Sequence, residues 1–199
     1  MQNRLGKKFY IREVTTVAKE LLGKTFVKIV DGETVSAKIV EVEAYYGAID
    51  EAAHSFGGKT KRNKVMFNEG GSLYVYFIYG THYCCNVVTG LQNDGSAVLI
   101  RAVEPLTGID YLAENRYGKT KLTEKELMGL TNGPGKICKA FNITKKENGI
   151  DLSGEEVFLL DAKKVDKSKI VQTVRVGIKK SAELPWRFYL KDNPFVSRI

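Results

Sequence analysis

Apolar and polar positions alternate along this chain in a way that predicts one helix followed by a run of strands. Across residues 12–22, Val14, Val17, Leu21 and Leu22 recur near helical spacing, and Gly23 supplies a stop. Strands are predicted over 24–29 and 37–45, the second rich in β-branched residues. A period of two along that strand puts Ile39, Glu41, Glu43 and Tyr45 on one face. Residues 72–79 and 83–88 are apolar runs parted by Gly80 and Thr81, the pattern of a β-hairpin. A nearly all-apolar strand follows at 97–103, with Arg101 inside it. Helices are predicted over 107–117 and 123–130, the latter opened by Thr123 and Glu126 at capping-box spacing. A further helix starts within 133–141, and strands at 157–160, 170–178 and 186–190 complete the chain. Strands come in runs and do not alternate with helices, so the expected fold is α+β around a largely antiparallel sheet.

Charge narrows the choice of partner. Among 199 residues, 31 Lys and Arg stand against 23 Asp and Glu, a formal charge of +8. Basic groups placed at phosphates gain from counterion release, whereas the bland reading is a solubilising surface. Length and a hydrophobic fraction of 43% fit one folded domain over residues 1–199. The three cysteines, Cys84, Cys85 and Cys138, form no CxxC pair, and with only His54 and His82 beside them no zinc spacing exists. Such sparse cysteine usage points to a reducing compartment. No apolar stretch reaches membrane-spanning length, and residues 1–10 lack the core of a secretory signal, so an intracellular protein is expected.

Candidate chemistry lies where charge interrupts apolar strands. Glu43 and Arg101 are each such an interruption, and burying either without a partner is costly. Two readings fit them: a buried salt bridge with no catalytic purpose, or a carboxylate held as a general base with the arginine fixing its charge and a water. Tyr45, Tyr46, Tyr74, Tyr76, Tyr79 and Tyr83 crowd the same region. They read either as core packing or as a slot that sandwiches a nucleobase. Tyr79 precedes the Gly80 turn, at the hairpin tip, where an exposed ring suits a wedge between base pairs. The run KTKRNK at 59–64, with Arg62, and GPGK at 133–136, with Lys136, are candidate phosphate contacts, or simply solvated loops. His54, in EAAHSFGG, is by itself more in keeping with a structural histidine.

At these residues the chain resembles the alkyladenine DNA glycosylase family, often called 3-methyladenine DNA glycosylase. The likeness is carried by EVEAYYGAIDEAAHSFGG (41–58), RNKVMFNEGGSLYVYFIYGTHYCCNV (62–87), IRAVEP (100–105), NGPGKICKA (132–140), RVGI (175–178) and WRFYLKDNPFVS (186–197). The resemblance implies that Glu43 activates the attacking water, helped by Arg101 and the carbonyl of Val176. It implies that Tyr45, His54 and Tyr76 enclose a flipped base, with a backbone contact from His54 to its edge. Asn86 would hinder the amino group of normal guanine, and Tyr79 would fill the gap left in the stack. His82 departs from the family, standing where an aromatic ring often lies near the DNA surface. Partner interactions made through the long amino-terminal extension of larger relatives are not expected here.

The family fold is a single compact domain on a curved antiparallel sheet, working without metal, cofactor or Schiff-base lysine. The implied substrate is duplex DNA holding a damaged purine such as 3-methyladenine, 7-methylguanine or hypoxanthine. A monomer in the cytoplasm, with a bacterial-type, nucleoid-associated activity, is expected. Two other classes compete: a non-catalytic damaged-DNA-binding module, and a glycosylase with lyase activity. The first leaves a buried Glu43 without a reason, and the second needs an activated lysine amine, for which no apolar setting is evident.

Overall fold

Predicted elements form with modest changes at their ends in the computed structural model, which describes residues 3–197. Met1 and Gln2, part of the segment read for a secretory signal, lie outside the described residues. Helices α1 (Lys7–Tyr10) and α2 (Val14–Leu21) lead into strands β1 (Thr25–Val30) and β2 (Glu33–Tyr46). Next come β3 (Leu73–Ile78), β4 (His82–Thr89) and β5 (Ser96–Thr107). Helices α3 (Ile109–Tyr117), α4 (Glu124–Met128) and α5 (Pro134–Ala140) precede β6 (Val157–Leu160), β7 (Ile170–Thr173) and β8 (Arg187–Leu190). The capping box forms as predicted, with Glu126 Oε2 accepting from the Thr123 amide at 2.9 Å.

All strand pairings among the described residues are antiparallel, in the order β3-β4-β5-β2-β1-β6, with β8 joined to β2 and β7 to β8. The expected α+β class and curved sheet are what the chain adopts. Strand β2 organises the rest. Its first half pairs with β1 through Lys38, and Glu41–Glu43 pair with β8 instead, while β5 runs along the other edge. The change of partner coincides with bulges in the β5 register between Ile39 and Val42. A bulge adds a residue to one strand, bends it and re-aims its side chains.

That bend corrects the simple alternation. Val35, Ala37 and Ile39 face the main core, but beyond the bulge the core residues are Val42 and Ala44. Ile39 therefore does not share a face with Glu41, Glu43 and Tyr45. Val40 and Glu41, though adjacent, both turn toward the carboxy-terminal segment, Val40 packing with Ala102, Phe195 and Val196. The main core is closed by Val17 and Leu21 of α2, Leu112 of α3 and Ile137 of α5. The strand predicted over 170–178 also ends early, at Thr173. Residues 174–178 leave the sheet because Arg175 turns inward to a buried carboxylate and Gly177 takes a positive φ of 76°.

Candidate active site

With the bulge behind it, β2 aims Glu43 into the molecule, where the carboxylate is fully buried. Its Oε2 accepts from the Tyr45 hydroxyl at 2.8 Å, and Oε1 accepts from the backbone N–H of Val176 at 2.8 Å. Arg101 Nη1, from β5, lies 3.4 Å from Oε1. Arg101 is oriented by others: its Nε donates to Glu41 Oε1 at 3.1 Å and its Nη2 to Ser197 Oγ at 3.3 Å. Glu41 also accepts from Arg187 Nε at 2.7 Å and from the Ser197 amide at 2.7 Å. Two carboxylates thus meet two guanidiniums in a hydrogen-bonded cluster, the condition under which buried charge is tolerated. Burial opposes the charge on Arg101, but Glu43 and Glu41 outweigh it and leave the guanidinium above its ordinary value. Burial, reinforced by the charge of Glu43, pushes the Tyr45 hydroxyl well up, so it remains a donor at neutral pH.

A second ion pair braces this one. Asp50 and Arg175, both without exposed side-chain surface, form a two-pronged bridge at 2.5 and 2.8 Å. Arg175 also donates to the Ala44 carbonyl at 3.0 Å, and its guanidinium lies 4.6 Å from the centre of the Tyr45 ring. Anchoring residue 175 in this way sets the next amide, that of Val176, against Glu43.

In front of the cluster opens a cavity of about 220 Å³, lined by Tyr45, His54, Tyr76, Asn86, Arg101 and Val176 among others. Glu43 itself stands one layer behind that wall, reached through its three partners, all of which line the cavity. The His54 and Tyr76 rings are edge to face at 4.4 Å between centres, and His54 Nδ1 is 3.1 Å from the Tyr74 hydroxyl. His54 keeps part of its surface exposed, yet desolvation of the ring, then the charge of Arg62, holds it below the usual imidazole range and favours the neutral form at pH 7. Burial pushes the Tyr74 hydroxyl up to about 12. Asn86 Nδ2 donates to the Tyr74 carbonyl at 3.1 Å.

Tyr79 stands at the cavity mouth on the turn between β3 and β4, 81% exposed. Tyr79 and Gly80 have φ of 54° and 66°, and the Thr81 amide closes the turn on the Ile78 carbonyl at 3.2 Å. Positive φ at both central residues suits the twist of a hairpin, and Gly80 meets it without strain. Of the phosphate candidates, Arg62 is exposed, lies 5.9 Å from the Tyr76 ring centre and donates to the Phe77 carbonyl at 3.2 Å. Lys136 donates to Asn132 Oδ1 at 2.6 Å, and burial followed by Arg116 lowers its ammonium below the ordinary value. Neither lines the cavity, whereas Pro134, two residues before Lys136, does.

The structure therefore brings Glu43, Arg101, Val176, Tyr45, His54, Tyr76, Asn86 and Tyr79 to one place. Sequence reasoning missed Arg175, Asp50 and Arg187 as supports, as well as the pairing of Glu41 with Arg101. Parity did put Glu41 beside Glu43, but nothing in the pattern named its partners. Among the described residues, no group of three or more His, Cys, Asp or Glu side chains could hold a metal ion, and no helix is long and apolar enough to cross a membrane.

Comparison with known proteins agrees with the geometry. Residues 8–194 match the family model described as methylpurine-DNA glycosylase. A protein of Alkaliphilus oremlandii is 51% identical over 201 residues, covering 98% of this chain and 99% of its own. Similar proteins of Desulfitobacterium hafniense and Clostridium beijerinckii are 48% and 47% identical over 200 residues, each covering 98% of both chains. All three are named, provisionally, as 3-methyladenine DNA glycosylases.

Proposed function

Because the chain belongs to the methylpurine-DNA glycosylase family, we propose that it flips alkylated or deaminated purines out of duplex DNA and hydrolyses their N-glycosidic bond. The observation that carries this reading is the buried Glu43, held by Tyr45, Arg101 and the Val176 amide behind an aromatic cavity that Tyr79 of the hairpin turn also lines. Tyr79 enters the stack as the purine leaves it, and unstacking costs least for a damaged base. Tyr45, Tyr76 and the neutral His54 receive the base, so no like charge repels a cationic purine, and the tyrosine faces attract it. The His54 carbonyl is engaged by Asn63 Nδ2 at 2.7 Å, which leaves the His54 N–H to contact the base edge. Asn86 disfavours the amino group of guanine.

The bond from C1′ to the purine nitrogen breaks with its electron pair on the purine. A cationic base such as 3-methyladenine leaves neutral and needs no acid, whereas hypoxanthine takes a proton from solvent water at the purine ring as it departs. Water adds to C1′ and gives its proton to Glu43, while Arg101 and the Val176 carbonyl hold that water. Glu43 also stabilises positive charge developing on the sugar. The product is an abasic site, with no covalent enzyme–DNA adduct. Arg62 and Lys136 serve as phosphate contacts flanking the lesion. A monomer, folded as one domain over its length, suffices for a reader of one lesion. A duplex DNA substrate and bacterial relatives support action in the cytoplasm.

The test is incubation with duplexes carrying 3-methyladenine, 7-methylguanine or hypoxanthine, reading abasic sites by alkaline cleavage. Excision of at least one lesion is expected, with no adduct trapped by borohydride. Tight binding to all three duplexes without any excision would make the protein a damaged-DNA-binding module.

A further inference from the structure

The segment 162–169 runs past α2 and the turn after β8, and it walls two adjoining grooves that share Lys164 and Val165. Lys19, Lys163, Lys164, Lys167, Lys169 and Lys191 line these grooves. Lys38 of β2 adds a seventh ammonium. Three carboxylates share the face, Glu20, Asp166 and Asp192, and Glu104 bridges Lys38, so the face carries a formal excess of three within the chain's +8. Two of the three are already occupied. Glu20 bridges Arg12 and Lys164, and Asp166 accepts from the amide and hydroxyl of Ser168. Lys163, Lys167, Lys169 and Lys191 make no salt bridge among the described residues.

This face is separate from the base cavity, with which it shares no lining residue. Lys38 and Tyr45 are seven residues apart on β2, roughly 20 Å at the rise of a strand. The ammoniums of this face that have no carboxylate partner repel one another and invite a polyanion. All seven cations are lysines, which meet phosphates as mobile point charges, whereas arginine offers the rigid fork that reads a guanine edge. The chemistry suits a sugar-phosphate backbone gripped without regard to sequence.

We propose that this lysine face is a second phosphate-binding surface that holds duplex DNA away from the lesion. It keeps the protein on undamaged duplex while the cavity is empty. The choice of DNA as the polyanion rests on the glycosylase reading of the cavity.

The test compares two fourfold variants that remove the same charge. One is K163Q/K167Q/K169Q/K191Q, and the control is K8Q/K121Q/K125Q/K146Q, at exposed lysines elsewhere. Affinity for long undamaged duplex is measured against salt, and excision is measured under single turnover on a short lesion duplex at saturating enzyme. The logarithmic salt slope should shrink by about 0.9 for each phosphate that is no longer neutralised, so by about 2–4 in the first variant and by less than about 1 in the control. Excision should be unchanged in both. Equal slopes in the two variants overturn the proposal. So does a first variant that loses binding to vesicles of anionic lipid but not to DNA. A wild-type protein that excises nothing from any lesion duplex refutes the reading of the cavity, and the slope comparison then still decides whether this face holds DNA.

Discussion

Glu43 is fully buried yet accepts hydrogen bonds from the Tyr45 hydroxyl and the Val176 amide and lies within ion-pair distance of Arg101. Glu43→Gln keeps the shape and can still accept hydrogen bonds, but it cannot take a proton from water. Single-turnover excision should fall by about 10²–10⁴-fold, with lesion binding at fixed salt retained or tighter. A variant excising near the wild-type rate would remove Glu43 from the mechanism. His54 gives a pH-dependent prediction. Burial and then Arg62 hold its folded-state value below that of the unfolded chain, which takes up its proton near pH 6.5, the ordinary imidazole value. Stability from this group is therefore complete above about pH 6.5 and is lost as pH falls through the folded value. In urea unfolding over that window, His54→Gln should show a flatter loss of stability toward acid than wild type; parallel curves would contradict it. At this scale much was legible, because a charge in an apolar strand announces itself, as Glu43 and Arg101 do. Asp50 and Arg175 were not legible. Asp50 lies in a segment without apolar periodicity, Arg175 faces away from the alternating Val174 and Val176, and their meeting is a tertiary event 125 residues apart.

Among the elements, the hairpin of β3 and β4 was readable from two apolar runs and one glycine. Its turn also holds Tyr79 in the left-handed region at φ 54°, a conformation costing a non-glycine residue about 1–2 kcal/mol. Tyr79→Gly should therefore melt no lower than wild type, since the ring is exposed and strain is relieved. It should nevertheless slow excision of well-stacked bases and abolish the fluorescence change of a flipped-base reporter. An unaltered flipping signal would show that the wedge is something else. Strand β2 marks where pattern reading stops. Strict alternation put Ile39 on the face of Glu43, but the bulges between Ile39 and Val42 send it to the core. An extra residue in a strand has no compositional signature, because what selects it is the exchange of neighbour from β1 to β8. Likewise Val174, Val176 and Ile178 kept the rhythm of a strand through a segment that in fact leaves the sheet after Thr173.

For the whole molecule, strands in runs sufficed to predict an antiparallel α+β fold, but which strands neighbour which was written in no local pattern. Glu41 shows how the pieces are fastened: it receives Arg101 from β5, Arg187 from β8 and the amide of Ser197 beyond it. Glu41→Ala leaves two buried guanidiniums without that anion, and removing one partner from such a cluster costs about 3–5 kcal/mol. Urea denaturation should show that destabilisation; a change under about 1 kcal/mol would mean that the cluster adds little to stability. The same pairing has a temporal side. Glu41 and Ser197 lie 156 residues apart, so strand β2 leaves the ribosome long before the segment that finishes its charge cluster. Closing so distant a pair is among the later and slower steps of folding. A half-made chain can already expose basic side chains to DNA, yet it has no settled Arg101 to set against Glu43. On the proposed mechanism, the order of synthesis delays bond-breaking chemistry until the last strands arrive, so a nascent chain is a bystander to DNA before it is an enzyme.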